Sequence, residues 1–164
     1  MNESEKSEGW TYEAFDRNTS PIDFGPFESL VALWRSKWMG DALPAWRDFE
    51  FEDFVDWYGW LIVEDIIPDG TGDVRFRLWG TRVTDLFQRD LTGKCMSEVG
   101  NNVFDPEEFE WVNKIADEGI ILRGAGTFAW EGRNHKAALS LELPLADNGK
   151  TVTHILCGIR EIMP

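Results

Sequence analysis

The sequence predicts an α+β domain: a five-stranded antiparallel sheet, helices inserted between its second and third strands, and further helices at the N-terminus. Three observations predict it. Period-two patterning falls in two groups, a pair of strands at about 60–79 and three strands after residue 119. Helical periodicity lies between those groups and ahead of the first. Short turn sequences join the strands within each group, "DGTGD" in the first and "ADNGK" in the second, and connections this short make neighbouring strands antiparallel.

The elements follow in order. Residues 1–22 are polar and acidic, yet carry Trp10, Tyr12 and Phe15, and are expected to be a flexible or loosely docked arm. Residues 23–59 hold the N-terminal helices. In "PFESLVALWRSKW", Phe27, Leu30, Val31, Trp34 and Trp38 share one helical face. Glu28 and the pair Arg35 and Lys37 suit the two ends of the helix dipole. A second short helix is expected from about Glu52. Residues 60–164 form the sheet and the helices inserted in it. "WLIVEDIIP" and "DVRFRLW" make the first hairpin, with Val74, Phe76 and Leu78 on one side and Arg75 and Arg77 on the other. Thr81 is expected to cap a short helix with Val83, Leu86 and Phe87 on one face. "FDPEEFEWVNKIADEG" is the best-punctuated helix, with Asp105 as N-cap, Pro106 at the first position and Glu108 placed for a capping box. Three strands close the chain. In the middle one Ala137, Leu139, Leu141 and Leu143 are expected inward and Ser140 and Glu142 outward. The last strand is apolar on both faces and is expected to be central.

Composition limits what such a domain does. Hydrophobic residues make up 43% and aromatics 13%, enough for a core. Nine tryptophans are thick aromatic packing, the lining of a pocket or an exposed docking patch. A formal charge of −14 repels phosphate, so neither nucleic acid nor an anionic membrane surface is an expected partner. Cys95 and Cys157 are too few for a disulfide framework or a zinc cage. There is no signal-peptide core and no apolar run near the roughly 20 residues of a membrane span. A cytoplasmic protein is expected.

The order of elements, and the stretches "LPAWRDFEFEDF", "RFRLWGTRVTDLFQRDLTGK" and "LELPLADNGKTVTHIL", resemble the PAS-like family of short, stand-alone proteins in alphaproteobacteria. Those proteins share an Arg-Phe-Arg-x-x-Gly-Thr strand end, an Arg-Asp-Leu-Thr-Gly turn and a Leu-Pro-Leu hairpin. The resemblance covers about residues 27 to 162. It implies a pocket between the inserted helices and the inner sheet face, walled by Phe76, Leu78, Val83, Phe87, Phe109, Val112, Leu139, Leu141, Ile155 and Cys157. The same positions would equally make a filled core. It also implies a sensory or signalling module that binds a small molecule, contacts a signalling protein or self-associates. Phe27, Leu30, Val31, Trp34 and Trp38 form the candidate homodimer surface, unless that helix packs on its own sheet.

Specific chemistry finds little support. "GKCMSEVG" lacks the residues that flank the adduct-forming cysteine of flavin-binding PAS domains. His135 and His154 lie off the helices that would carry a haem ligand. No calcium loop, hydrolase elbow or phosphate loop is present. No cofactor, metal or catalytic residue is expected, and the protein is not expected to be an enzyme. The alternative is a small ligand carrier or enzyme of cone-shaped α+β fold, centred on His154 and a neighbouring carboxylate.

Overall fold

The computed structural model describes residues 10–100, 103–128 and 133–162. Its strands are β1 (Trp10–Phe15), β2 (Leu61–Ile66), β3 (Val74–Trp79), β4 (Ile121–Phe128), β5 (Arg133–Leu145) and β6 (His154–Ile162). The α-helices are α1 (Glu28–Ser36), α2 (Thr81–Phe87), α3 (Met96–Val99) and α4 (Pro106–Glu118). Three 3₁₀ segments, Pro21–Phe27, Trp46–Asp48 and Phe51–Trp57, flank α1 and lead to β2. All neighbouring strands are antiparallel, in the order β1-β4-β5-β6-β2-β3. No helix among the described residues is long and apolar enough to cross a membrane.

The sheet has six strands where five were expected. The sixth is β1, from the segment expected to be a loosely docked arm. Trp10 and Tyr12 alternate with Thr11 and Glu13, and the strand pairs with β4 from Trp10↔Gly126 to Phe15↔Ile121. Residues 1–9 of the expected arm lie outside the described residues.

Both faces of the sheet are covered. On one, α1 lies close enough that a Cβ on Gly158 would stand 2.5 Å from Leu30. Trp34 donates its indole N–H to the Pro144 carbonyl at 2.9 Å. Phe27, Leu30, Val31 and Trp34 are each 0% exposed, and Trp38 is partly buried against the same core. The apolar stripe expected as a dimer surface is therefore monomer core: an apolar face next to a bare sheet face is buried first by its own chain. The helices α2 to α4, between β3 and β4, cover the other face.

Within the stretch Arg75–Lys94, each part has a structural reason. β3 is an edge strand, and the turn after α2 folds back along it: Gly93 N–H donates to the Phe76 carbonyl at 2.7 Å, and Phe76 N–H donates to Lys94 at 2.9 Å. Asp90 holds that turn by accepting from the Thr92 amide at 3.0 Å and its hydroxyl at 2.6 Å. The Gly59 carbonyl accepts from the amides of Arg82 and Val83 at the start of α2. To do so it passes so close to Gly80 that a Cβ there would lie 2.1 Å from its oxygen. Gly80→Ala is expected to destabilise the protein by about 2 kcal/mol, through displacement of that cap, as read by urea denaturation. An unchanged midpoint would mean that the Gly59 loop yields without cost.

Candidate functional site

Between the sheet and α2 to α4 lies a cavity of about 60 Å³. Its floor is set by register. Tyr12, Gly124, Ser140 and Ile159 stand opposite one another across β1, β4, β5 and β6. The next row runs Leu122, Glu142, Cys157, Ile62 and Trp79. The absent side chain of Gly124 leaves space that the Tyr12 ring and the Ser140 hydroxyl occupy: a Cβ there would lie 2.5 Å from Ser140 Oγ and 3.0 Å from the ring. Phe104, Glu108, Trp111 and Val112 form the roof, and Phe87 and Met96 close the side.

A β-bulge shapes the wall at β3. Val63 pairs with Leu78 but Glu64 pairs with Phe76, so Arg77 is the extra residue. Phe76 and Trp79, three apart, then both face the cavity, and their rings meet edge to face at 5.0 Å. Leu78 is turned to the opposite side, where it borders a surface hollow with Trp46, Phe54 and Tyr58.

Three carboxyl groups line this aromatic chamber: Glu64 from β2, Glu108 from α4 and Glu142 from β5. Glu64 is 6% exposed and Ser140 8%. Among the described residues no hydrogen bond or ion pair reaches the side chain of either, and no Lys, Arg or His lines the cavity. Glu108 does not complete the expected capping box. Asp105 is the N-cap of α4, but the Glu108 carboxyl turns inward and accepts the Tyr12 hydroxyl hydrogen. That bond ties the edge strand to the roof, and Trp111 packs on the Tyr12 ring with centroids 5.9 Å apart.

Low polarity and like charge set the protonation of this group. Burial lifts Glu142 to about 7. Glu108 is pushed up to about 8, chiefly by burial; the Tyr12 hydrogen bond opposes this, and Glu142, Asp105 and Glu107 reinforce it. Glu64 is driven well above the ordinary carboxylate range by burial first and by Glu142 and Glu108 second. Burial and then the same three carboxyls raise the Cys157 thiol, which makes it a neutral, unreactive group.

Of the expected walls, Phe76, Phe87, Val112 and Cys157 line the cavity. Val83 is fully buried without reaching it, and Phe109 is half-buried beside it. Ile155 shares the cavity face but lies beyond it, opposite Glu64. Leu139 and Leu141 point to the α1 side: Leu141 stands opposite Gly158 and Leu139 opposite Arg160, whose guanidinium lies 3.4 Å from the Trp57 ring centroid. Leu141 and Leu143 are buried as expected, but on the α1 side, and the cavity receives Ser140 and Glu142, the set expected outward. Trp10, Tyr12, Glu64, Trp79, Glu108 and Trp111 were also missed. His154 has carboxylate neighbours, Asp65 at 2.8 Å and Asp147 at 3.3 Å, but it does not reach the cavity. The cone-fold centre therefore lacks a chamber in which to act. Among the described residues no His, Cys, Asp and Glu cluster is arranged to hold a metal ion.

Helices packed over one face of an antiparallel sheet, around an aromatic chamber with a polar centre, define the class: an α+β domain with a cavity between sheet and helices. The chain belongs to the PAS domain family, whose model matches residues 24–159. PAS domains are in general non-enzymatic sensory modules. Strand β1, which brings Trp10 and Tyr12 to the cavity, precedes the matched span. No curated protein and no solved structure matches the chain.

Proposed function

We propose that this PAS domain is a cytoplasmic sensory module whose cavity binds a small molecule, and which passes the bound state to a signalling partner by protein contact without catalysing a reaction. Glu64 carries the reading. A core that had only to be filled would place an apolar side chain there, because a buried polar group without a partner costs about 1–3 kcal/mol. Glu64 and Ser140 instead meet a cavity, with Glu142 and the Tyr12–Glu108 pair around it. An aromatic chamber with a few converging polar groups is the usual form of a small-molecule site. A ligand that engages Glu108 competes with Tyr12, so occupancy is transmitted to the edge strand β1 and from there to the surface. A homodimer, as a second output, must use a surface other than the buried stripe of α1.

The test is a thermal-shift panel of small amines, alcohols, amides and acids on the whole protein and on Ser140→Leu, which fills the chamber. One class is expected to raise the melting temperature of the native protein, and the rise is expected to vanish in the folded Ser140→Leu variant. A panel without any stabilising member, or a stabilisation that survives the filling, overturns the proposal.

A further inference from the structure

We infer that the ligand of this cavity is a small organic cation, an alkylammonium or amidinium group on a short apolar body. The inference rests on the reading of the cavity as a ligand site, and adds the ligand's charge and size. Four observations converge on it. Glu64 is buried, faces the chamber and has no hydrogen-bond or ion-pair partner among the described residues, so the chamber holds an acceptor that the protein leaves unmatched. Glu142 and Glu108 face the same space, and no basic side chain among the described residues shares it. Where Glu142 and Glu108 ionise, near and above neutrality, an anion would therefore meet uncompensated like charge, on a chain already at −14. A bare metal ion is disfavoured because the carboxyls are not gathered into a coordinating cluster.

The walls supply the second half of the recognition. Phe76, Trp79, Phe104 and Trp111 line the chamber, with the Phe76 and Phe104 rings stacked at 5.6 Å. Aromatic faces attract a cation electrostatically and accept an alkyl body at the same time, which water-filled acidic sites do not. The volume of about 60 Å³ sets the size. A chamber of this volume takes a small organic molecule rather than a large cofactor.

Binding is coupled to protons. The groups that face the chamber are Tyr12 from β1, Glu64 from β2, Glu108 from α4 with Asp105 at its cap, Glu142 from β5 and Cys157 from β6. Tyr12 and Cys157 stay neutral, since burial raises both. Glu142, at about 7, and Glu108, at about 8, are the groups that ionise near neutrality. A cation binds the ionised carboxylates, so affinity rises as pH rises through that range.

The experiment is calorimetric titration of the whole protein with isobutylammonium, isobutanol and isobutyrate, which share a branched apolar body and differ in the charge of the head group, at pH 6 and 8.5. The ammonium is expected to bind at least about tenfold more tightly than the alcohol at pH 8.5 and more weakly at pH 6 (a tenfold ratio is 1.4 kcal/mol). In Glu64→Gln/Glu142→Gln, which keeps the shape and removes two acids, that preference is expected to vanish, with the ammonium-to-alcohol ratio at pH 8.5 falling to about one. Equal or tighter binding of isobutanol or isobutyrate, lost in Ser140→Leu, overturns the cation inference and leaves the cavity reading standing. If none of the three binds, the cation inference falls; if the wider panel is also silent, the cavity reading falls with it.

Discussion

Raising the pH from 5 to 9 is expected to destabilise this protein by on the order of 3–5 kcal/mol, the reverse of the usual gain on leaving acid. The sign follows from the carboxyls in the cavity. Glu142 and Glu108 have an ordinary value of 4.5 and stand at about 7 and about 8 when folded. Above pH 4.5 the unfolded chain releases these protons while the folded protein keeps them. The folded state binds more protons, and stability falls with each pH unit until the folded groups ionise too. Their contribution is full below about pH 4.5 and is lost as pH rises through 7 to 8. For Glu142 alone, the move from 4.5 to about 7 corresponds to about 3 kcal/mol. Water entering the cavity reduces the total below the sum of separate shifts.

Glu142→Gln isolates the effect. The amide keeps the shape of the acid and cannot ionise. At pH 8.5 the variant is expected to melt about 6–12 °C above the native protein, and near pH 4 the two should coincide to within about 1 °C. Parallel melting curves across the whole range would show that Glu142 is not held in its neutral form. A variant less stable than the native protein at every pH would show that the carboxyl has a protein partner.

How far the sequence could be read depended on whether one face of each element was free. α4 carried its own signals, Asp105, Pro106 and a terminal glycine, and it forms where they place it. β6 announced a central position by being apolar on both faces, and it lies between β5 and β2. In β5 the same kind of reasoning failed. Leu139, Leu141 and Ser140, Glu142 alternate, and alternation ordinarily marks one wet face. Here helices cover both faces, so neither set is wet: the leucines meet the α1 side, and the polar pair meets the cavity. The signal available was the presence of amphipathic helices both before β2 and after β3, which leaves the sheet no free face. Leu78 failed for a different reason. A one-residue bulge inverts every side chain beyond it, and nothing in "VRFRLW" distinguishes a straight strand from a bulged one. β1 was legible in part. Its alternation of Trp10 and Tyr12 with Thr11 and Glu13 is a strand pattern, obscured by the acidic residues around it.

Trp34→Ala is expected to cost about 4 kcal/mol, and the way in which it does so tests where the α1 stripe belongs. The side chain is 0% exposed, meets Trp38 edge to face at 5.0 Å and bonds the Pro144 carbonyl. Truncating a fully buried Trp costs about 3–5 kcal/mol in lost transfer energy and cavity formation. Leaving the Pro144 carbonyl without its donor places this site in the upper part of that range. Core and interface predict different concentration dependence. If the stripe is monomer core, urea midpoints of both native and variant protein stay fixed from one to one hundred micromolar, and the full loss is present at each concentration. If the stripe lay between two copies, the native midpoint would rise with concentration and the variant would forfeit only that rise. Because α1, the Trp57 ring and β6 meet around Gly158 with no room for a single added carbon, the loss is expected to be independent of concentration.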